Sequence, residues 1–304
     1  MRKLASIQKI KDLQPIEGAD MIVRKPEFEF LRPRKFRIKT AKMRGQISQG
    51  IAFPLDVLED RETLEIEEGL DVTEYMGVIK YEPPIPVHMS GEVKGAFPSF
   101  IPKTDETRIQ SVPDLLTRPE NAGSTCYVAE KLDGTSATYY LKDGEFGVCS
   151  RNLELRENQK NIHWLVARQL GIEEKLRTVG QNIAIQGELI GPGIQKNKYK
   201  LQTHEVRLFN IFDIDRYVYL DYADFMAQAE VMELPTVPIL DAEYRLGQDD
   251  VNDLVALSEA KSVLNNKAHR EGIVIRPHVE AHDPEVGRLT FKVINPRFLL
   301  KYDE

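Results

Sequence analysis

The sequence predicts an α+β fold, with a small β-rich module ahead of a larger domain. Three observations lead there. Short apolar, β-branched runs such as Cys126–Glu130, Ile183–Ile190 and Gly272–Arg276 recur through the C-terminal two thirds. Only two stretches there carry apolar residues at clear helical spacing, so strands and helices mix without a strict βαβ rhythm. The first 97 residues instead show short apolar runs broken by turn residues, among them Pro15, Gly18 and Pro54.

Taken in order, residues 1–97 form the β-rich module. The proline- and glycine-rich stretch Tyr81–Pro113 is an extended linker at its end. Residues 98–304 form the second domain. Cys126–Glu130 and Ser136–Leu141 read as strands, the latter running into a Lys142-Asp143-Gly144 turn. Gln159–Leu170 reads as a helix, with Ile162, Leu165, Val166 and Leu170 on one face. Ile183–Ile190, Val206–Ile214, Gly272–Arg276 and Leu289–Ile294 are further strands. Asp250–Leu264 is a second helix, with Asp249 as its N-cap.

The 304 residues are 41% apolar and 29% charged, which suffices for an ordinary core. A net charge of −7 excludes a chain that coats nucleic acid by bulk attraction, so any such contact needs a local basic surface. Arg32, Arg34, Lys35, Arg37, Lys39, Lys42 and Arg44 supply one. Phe36 and Ile38 alternate with Arg37 and Lys39, so a strand there buries one face and presents cations on the other. Lys196, Lys198 and Lys200 form a weaker candidate. Cys126 and Cys149 are too few for a disulfide framework and suit a reducing compartment. No run of about 18 apolar residues indicates export or a membrane span. The expectation is a soluble, cytoplasmic protein, most simply a monomer.

The chemistry concentrates at Glu130-Lys131-Leu132-Asp133-Gly134, where a strand ends in a turn. Lys131 and Asp133 point the same way by the two-residue period of extended chain. A lysine amine attacks a phosphoryl centre only when deprotonated, which burial and a neighbouring positive charge or metal favour. Alone, such a turn is commonplace. Downstream, in order, come Ser150-Arg151-Asn152, Gln186-Gly187-Glu188, Leu208-Phe209-Asn210-Ile211, Arg270-Glu271-Gly272 and Thr290-Phe291-Lys292, each at a strand or strand end.

This ordered set resembles the covalent nucleotidyltransferases, which include DNA ligases, RNA ligases and capping enzymes. Within them it is most similar to ATP-dependent RNA ligases of the Deinococcus/Naegleria type, with an N-terminal OB module. Ile101-Pro-Lys-Thr-Asp-Glu106, Arg151-Asn-Leu-Glu-Leu-Arg156 and Phe291-Lys-Val-Ile-Asn295 carry that narrower likeness, which spans nearly the whole chain. The resemblance implies a nucleotidyltransferase domain of antiparallel sheets with flanking helices behind an OB-like module. It implies that ATP adenylylates Lys131, that AMP passes to an RNA 5′-phosphate, and that a 3′-hydroxyl then seals the ends, nicks in RNA/RNA or RNA/DNA duplexes above all. Asp133, Glu188 and Glu271 would hold Mg²⁺ or Mn²⁺, with Glu188 alternatively on a ribose hydroxyl. Lys292 would contact the α-phosphate, with Gly134 beside the nucleotide. Phe209 would stack on adenine. Arg151 and Asn152 would meet the nucleotide or the nucleic-acid end, and Arg34, Lys35, Arg37, Lys39, Lys42 and Arg44 the strand.

Three departures stand out. Between Asp20 and Pro26 the module is short for a complete OB barrel. Asn210 replaces an aspartate after the stacking aromatic, and Phe212-Asp213 offers a competing register. Thr290 stands where a first lysine often precedes Lys292, so one phosphate cation is missing unless Arg288 compensates. The rivals are a DNA ligase, a guanylyltransferase of the capping type, and a nucleic-acid-binding protein without catalysis. The retained set Lys131, Asp133, Glu188, Glu271 and Lys292 argues against the last.

Overall fold

The structure, a computed structural model, describes residues 92–302, with Leu70 and the segments 9–10, 41–43, 46–48 and 78–79 from the N-terminal region. The chain divides into two units, Met1–Pro84 with Leu299–Glu304, and Ile85–Phe298. In the first, strand β1 (Lys9–Ile10) pairs antiparallel with β4 (Val78–Ile79), and β2 (Ala41–Met43) with β3 (Gln46–Ser48). Lys42 lies on β2 opposite Ile47. Arg34, Lys35, Arg37, Lys39 and Arg44 lie outside the described residues.

The second unit is built on two sheets. Its strands are β5 (Val93–Ala96), β6 (Thr107–Arg108), β7 (Thr125–Lys131), β8 (Thr135–Lys142), β9 (Glu145–Cys149), β10 (Leu153–Leu155), β11 (Ile183–Ile190), β12 (Glu205–Asp213), β13 (Val218–Tyr219), β14 (Ile239–Arg245), β15 (Gly272–Pro277), β16 (His282–Asp283), β17 (Gly287–Arg288) and β18 (Phe291–Ile294). A seven-stranded sheet runs β13-β12-β11-β8-β9-β10-β5, and a five-stranded sheet β14-β7-β15-β18-β6. All pairings are antiparallel except β18 with β6. The stretch read as a linker thus supplies two edge strands, β5 and β6, whose backbones pair with β10 and β18.

Helices α1 (Ile162–Gln169), α2 (Ile172–Val179) and α3 (Tyr222–Val231) cover the outer face of the large sheet. Leu141, Val148, Ile183, Ile185 and Leu189 pack there against Trp164, Val166, Leu176 and Phe225. The outer face of the small sheet, with Val128, Ile273, Ile275, Phe291 and Val293, packs on Ile109, Leu115 and Leu254. Leu254 belongs to α4 (Val251–Ser258); a last helix, α5, is Pro296–Tyr302. Strand period two therefore leaves each sheet an inner face of mixed polarity, and the two inner faces meet.

The second predicted helix differs at both ends. The N-cap of α4 is Asp250, not Asp249. The Asp250 carboxylate accepts from Asn252 N and Asp253 N at 2.7 and 2.9 Å, and Asp253 closes a capping box. The helix stops at Ser258, well before Leu264, and a bridge between Lys261 and His269 turns the chain back. Helices α2 and α3 carried no predicted counterpart.

Candidate active site

Register sets the site. On β15, Gly272 lies opposite Lys131 of β7, and Val274 lies between Ala129 of β7 and Lys292 of β18. Lys292 in turn sits opposite Arg108 of β6. Directly opposed residues share a face, so Lys131, Lys292 and Arg108 all project from the inner face of the small sheet. Gly272 fits because a Cβ there would meet Val293 O at 2.2 Å. On the facing sheet, Gln186 and Glu188 share the inner face of β11, opposite Thr138 and Ser136 of β8.

The Lys131 ammonium donates to both oxygens of Glu271 at 2.7 Å. Burial alone lowers its pKa, but the charges of Glu271, Glu188 and Glu106 outweigh this and raise it above the ordinary lysine value. The resting amine is thus a protonated ion-pair partner. The sequence suggested a burial-deprotonated amine; neighbouring carboxylates reverse that expectation. Glu188 is pushed up to about 8 by burial and by the charges of Glu271 and Asp133, against the pull of Lys131. Lys292 is pushed down to about 8 by burial, then by Lys131 and Arg108, with Glu106 opposing.

Asp133 is buried, its carboxylate taken by Lys198 and its backbone N–H donated to the Tyr199 hydroxyl at 2.6 Å. The turn at Gly134 runs tight against β11. A Cβ on Gly134 would lie 2.4 Å from Leu189 O and 3.0 Å from Glu188 Cγ. Lys131, Glu188 and Glu271 are therefore held together, with Asp133 at the edge of the group. Among the described residues, no cluster of three or more His, Cys, Asp or Glu is placed to hold a metal by itself. The oxygen-only donors nonetheless suit a hard divalent cation.

Further along the cleft, Glu106 and Arg276 form a buried ion pair. Burial pushes the Glu106 carboxyl up, but Arg276, Lys292 and Arg288 hold it below the usual value. The Arg276 guanidinium lies 5.7 Å from the Phe209 ring. Phe209 sits at a β-bulge, half-buried beside Tyr127, Ala129, Leu132 and Ile190 of the cleft. Phe212 is only 1% exposed, in a core with Ile101, Tyr140, Cys149 and Ala184. Asn210 donates to Gln186 Oε1 at 3.1 Å and accepts from Arg288 Nη1 at 2.9 Å. Arg288 also donates to Glu280 at 2.7 Å and stacks 3.6 Å from the Tyr219 ring, so it is already committed. Thr104, Glu106, Asn210, Tyr219, Arg288 and Thr290 line a cavity of about 150 Å³.

Arg151 is exposed and ion-paired to Asp105, and Asn152 Oδ1 accepts from Lys103 Nζ at 3.3 Å. The 103–106 segment thus links both residues to the cleft edge. Sequence reasoning missed Arg108. Its Nε is buried without a hydrogen-bond partner among the described residues, as are Arg276 Nε and Thr290 Oγ1. Burial lowers its pKa, with Glu271 opposing. Buried donors gathered on one sheet face suit an anionic group.

Two facing antiparallel sheets with a lysine, carboxylates and cations between them define a ligase-type nucleotidyltransferase domain. The RNA ligase family model matches residues 124–294, more than half of the chain, and an OB-fold domain model matches residues 21–55. The chain belongs to the RNA ligase family. The RNA ligase of Naegleria gruberi is similar in structure. Its complex with pyrophosphate is 38% identical over 88% of this chain and 77% of that one, with a TM-score of 0.76. A lysine-to-methionine mutant of the same enzyme with AMP and Mn is 38% identical over 87% and 76%, also at 0.76. A glutamate-to-alanine mutant with ATP and Mn is 37% identical over 88% and 77%, at 0.77. No curated protein matches this chain. Among the described residues, no helix is long and apolar enough to cross a membrane.

Proposed function

We propose that this RNA ligase uses ATP to form a lysine–AMP intermediate on Lys131, then seals RNA 3′-hydroxyl and 5′-phosphate ends. The observation that carries the reading is the convergence of Lys131, Glu271, Glu188, Lys292 and Arg108 between the two sheets. The Naegleria gruberi enzyme in complexes with ATP and Mn, AMP and Mn, or pyrophosphate supports the choice of nucleotide.

In the first step, the Lys131 ammonium loses a proton to solvent and the free amine attacks the α-phosphorus, forming an N–P bond as the P–O bond to pyrophosphate breaks. Drawing Glu271 away from Lys131 lets the proton go, because Glu271 is the strongest influence holding it. Lys292 and Arg108 stabilise the phosphate charge as it redistributes. Arg108 supplies the cation missing at Thr290, a role Arg288 cannot take while Glu280 and Asn210 hold it. Phe209, not Phe212, offers a face to adenine. Glu188 and Glu271, with Asp133 nearby, would hold Mg²⁺ or Mn²⁺, which would supply neutralisation of the reacting phosphates. AMP then passes to the 5′-phosphate, and the 3′-hydroxyl displaces it. Arg151 and Asn152 would meet the strand end, a role supported by their links to Asp105 and Lys103. The N-terminal unit acts as an OB-type strand-binding module through Arg34, Lys35, Arg37, Lys39, Lys42 and Arg44, and the second unit, which begins ahead of β5 rather than at residue 98, is the adenylyltransferase domain. Nicks in duplex RNA or RNA/DNA are the substrates.

The test is α-labelled ATP or GTP with Mg²⁺ or Mn²⁺, scoring label on denatured protein for the wild type and Lys131→Ala. ATP labelling lost in the variant, followed by sealing of a nick with an RNA 3′-hydroxyl, is expected. Labelling by GTP alone moves the protein to the capping class. No labelling by either nucleotide refutes the reading.

A further inference from the structure

The loop between β11 and β12 carries an unusual backbone. Gln195, Lys196, Asn197 and Lys200 all have φ between +43° and +59°, a left-handed conformation that non-glycine residues rarely adopt. Four such residues in six persist only where tertiary contacts over-determine them. The contacts converge on Lys198 and Tyr199. The Asn197 side chain is tied reciprocally to Leu201, donating to its carbonyl at 2.8 Å and accepting from its N–H at 3.1 Å. Asn265 donates to Lys198 O at 2.8 Å. The Lys198 ammonium lies 4.8 Å from the centre of the Phe298 ring. From that seat Lys198 reaches the Asp133 carboxylate, both side chains only 6% exposed. The Tyr199 hydroxyl, itself buried, accepts the Asp133 N–H.

The loop therefore grips one residue twice, through its carboxylate and its backbone. That residue lies two positions from Lys131, in the turn where β7 gives way to β8. A simple surface loop needs none of this: its lysines would reach solvent, as Lys196 and Lys200 do. We infer that Lys198 is a positioning residue for lysine adenylylation, and that the strained 195–200 loop is a latch fixing the Lys131–Asp133 turn for attack. This rests on the reading of Lys131 as the nucleophile. Lysine 198 touches no reacting atom; it acts through Asp133.

Position matters here because the attacking nitrogen must be held in line, and a displacement near 1 Å costs about 10²-fold. The latch is needed when Lys131 is the nucleophile. It is not needed when a 3′-hydroxyl attacks an RNA end that already carries AMP.

The experiment compares Lys198→Met, Lys198→Arg and Tyr199→Phe with the wild type in two single-turnover assays. One follows transfer of label from ATP to the protein. The other follows sealing of a nicked duplex whose 5′ end is already adenylylated. Lys198→Met is expected to slow protein adenylylation about 10²-fold while sealing of the pre-adenylylated nick stays within about threefold. Lys198→Arg is expected to recover most of the rate, since it restores the charge, and Tyr199→Phe to show a smaller loss confined to the same step. Equal losses in both assays mean that Lys198 merely supports the fold, and overturn the inference; so does an unchanged adenylylation rate. Should Lys198→Met fail to fold, Tyr199→Phe decides on the same criteria. If the wild type takes no label from ATP, the underlying reading of Lys131 fails instead.

Discussion

Replacing Arg108 by methionine separates catalysis from stability. The side chain stands next to Lys292 on the inner face of the small sheet, with a buried Nε that finds no hydrogen-bond partner among the described residues. Methionine keeps most of the apolar stem, so packing changes little. A hydrogen bond to a charged group contributes about 1.5–3 kcal/mol, which corresponds to a roughly 10- to 150-fold change in rate. The folded protein, by contrast, gives up no hydrogen bond at Nε and is relieved of burying a charge. Adenylylation by ATP should therefore fall by that factor, while the urea midpoint stays unchanged or rises. Lys292 should titrate higher in the variant, since Arg108 is one of the charges that depress it. Single-turnover labelling and urea unfolding on the same preparations make the comparison. A variant that loses stability and activity together, or that labels at the wild-type rate, would refute the assignment of Arg108 to the phosphates.

Three further outcomes follow from the geometry. Phe212→Ala should cost about 3–5 kcal/mol of stability with little effect on the KM for ATP, because its ring is sealed in the core. Phe209→Ala should do the reverse, weakening ATP by the about 1–3 kcal/mol of a base stack; titration of ATP against both variants checks this. Gly134→Ala should reduce adenylylation by about 10²-fold, since the new Cβ displaces the β11 backbone that carries Glu188; labelling kinetics test it. Asp283 is held well below the usual carboxylate range. Burial pushes it up, but Arg118, Asn121 and the N–H groups of Glu285 and Val286 outweigh this. A depressed folded-state pKa contributes stability that is full above about pH 4 and lost as the pH falls further. The urea midpoints of wild type and Asp283→Asn should therefore differ most at neutral pH and converge below about pH 4.

The sequence by itself determined the parts that depend on neighbours along the chain. Short apolar, β-branched runs gave most of the strands that carry the site, and the turn after β7 placed Lys131, Asp133 and Gly134 together. The ordered motifs gave Glu188, Glu271 and Lys292, and the resemblance they carry named the RNA ligase family. Tertiary structure decided the rest. Phe209 and Phe212 are alternative registers of one short run; the bulge turns Phe209 into the cleft, while Phe212, opposite Ala184 further along the same face, is sealed in a core with Ile101 and Tyr140. Arg108 lies in a proline-rich stretch just beyond the Ile101–Glu106 segment, in no motif of its own, and becomes a neighbour of Lys292 only when β6 pairs with β18. Lys198 looked like a surface lysine among three and is instead buried against Asp133. The charge state of Lys131 could not be read locally either. Electrostatic energy sums over groups close in space, and the carboxylates that hold the proton on Lys131 come from β11, the entry to β15 and the segment before β6, far apart in sequence.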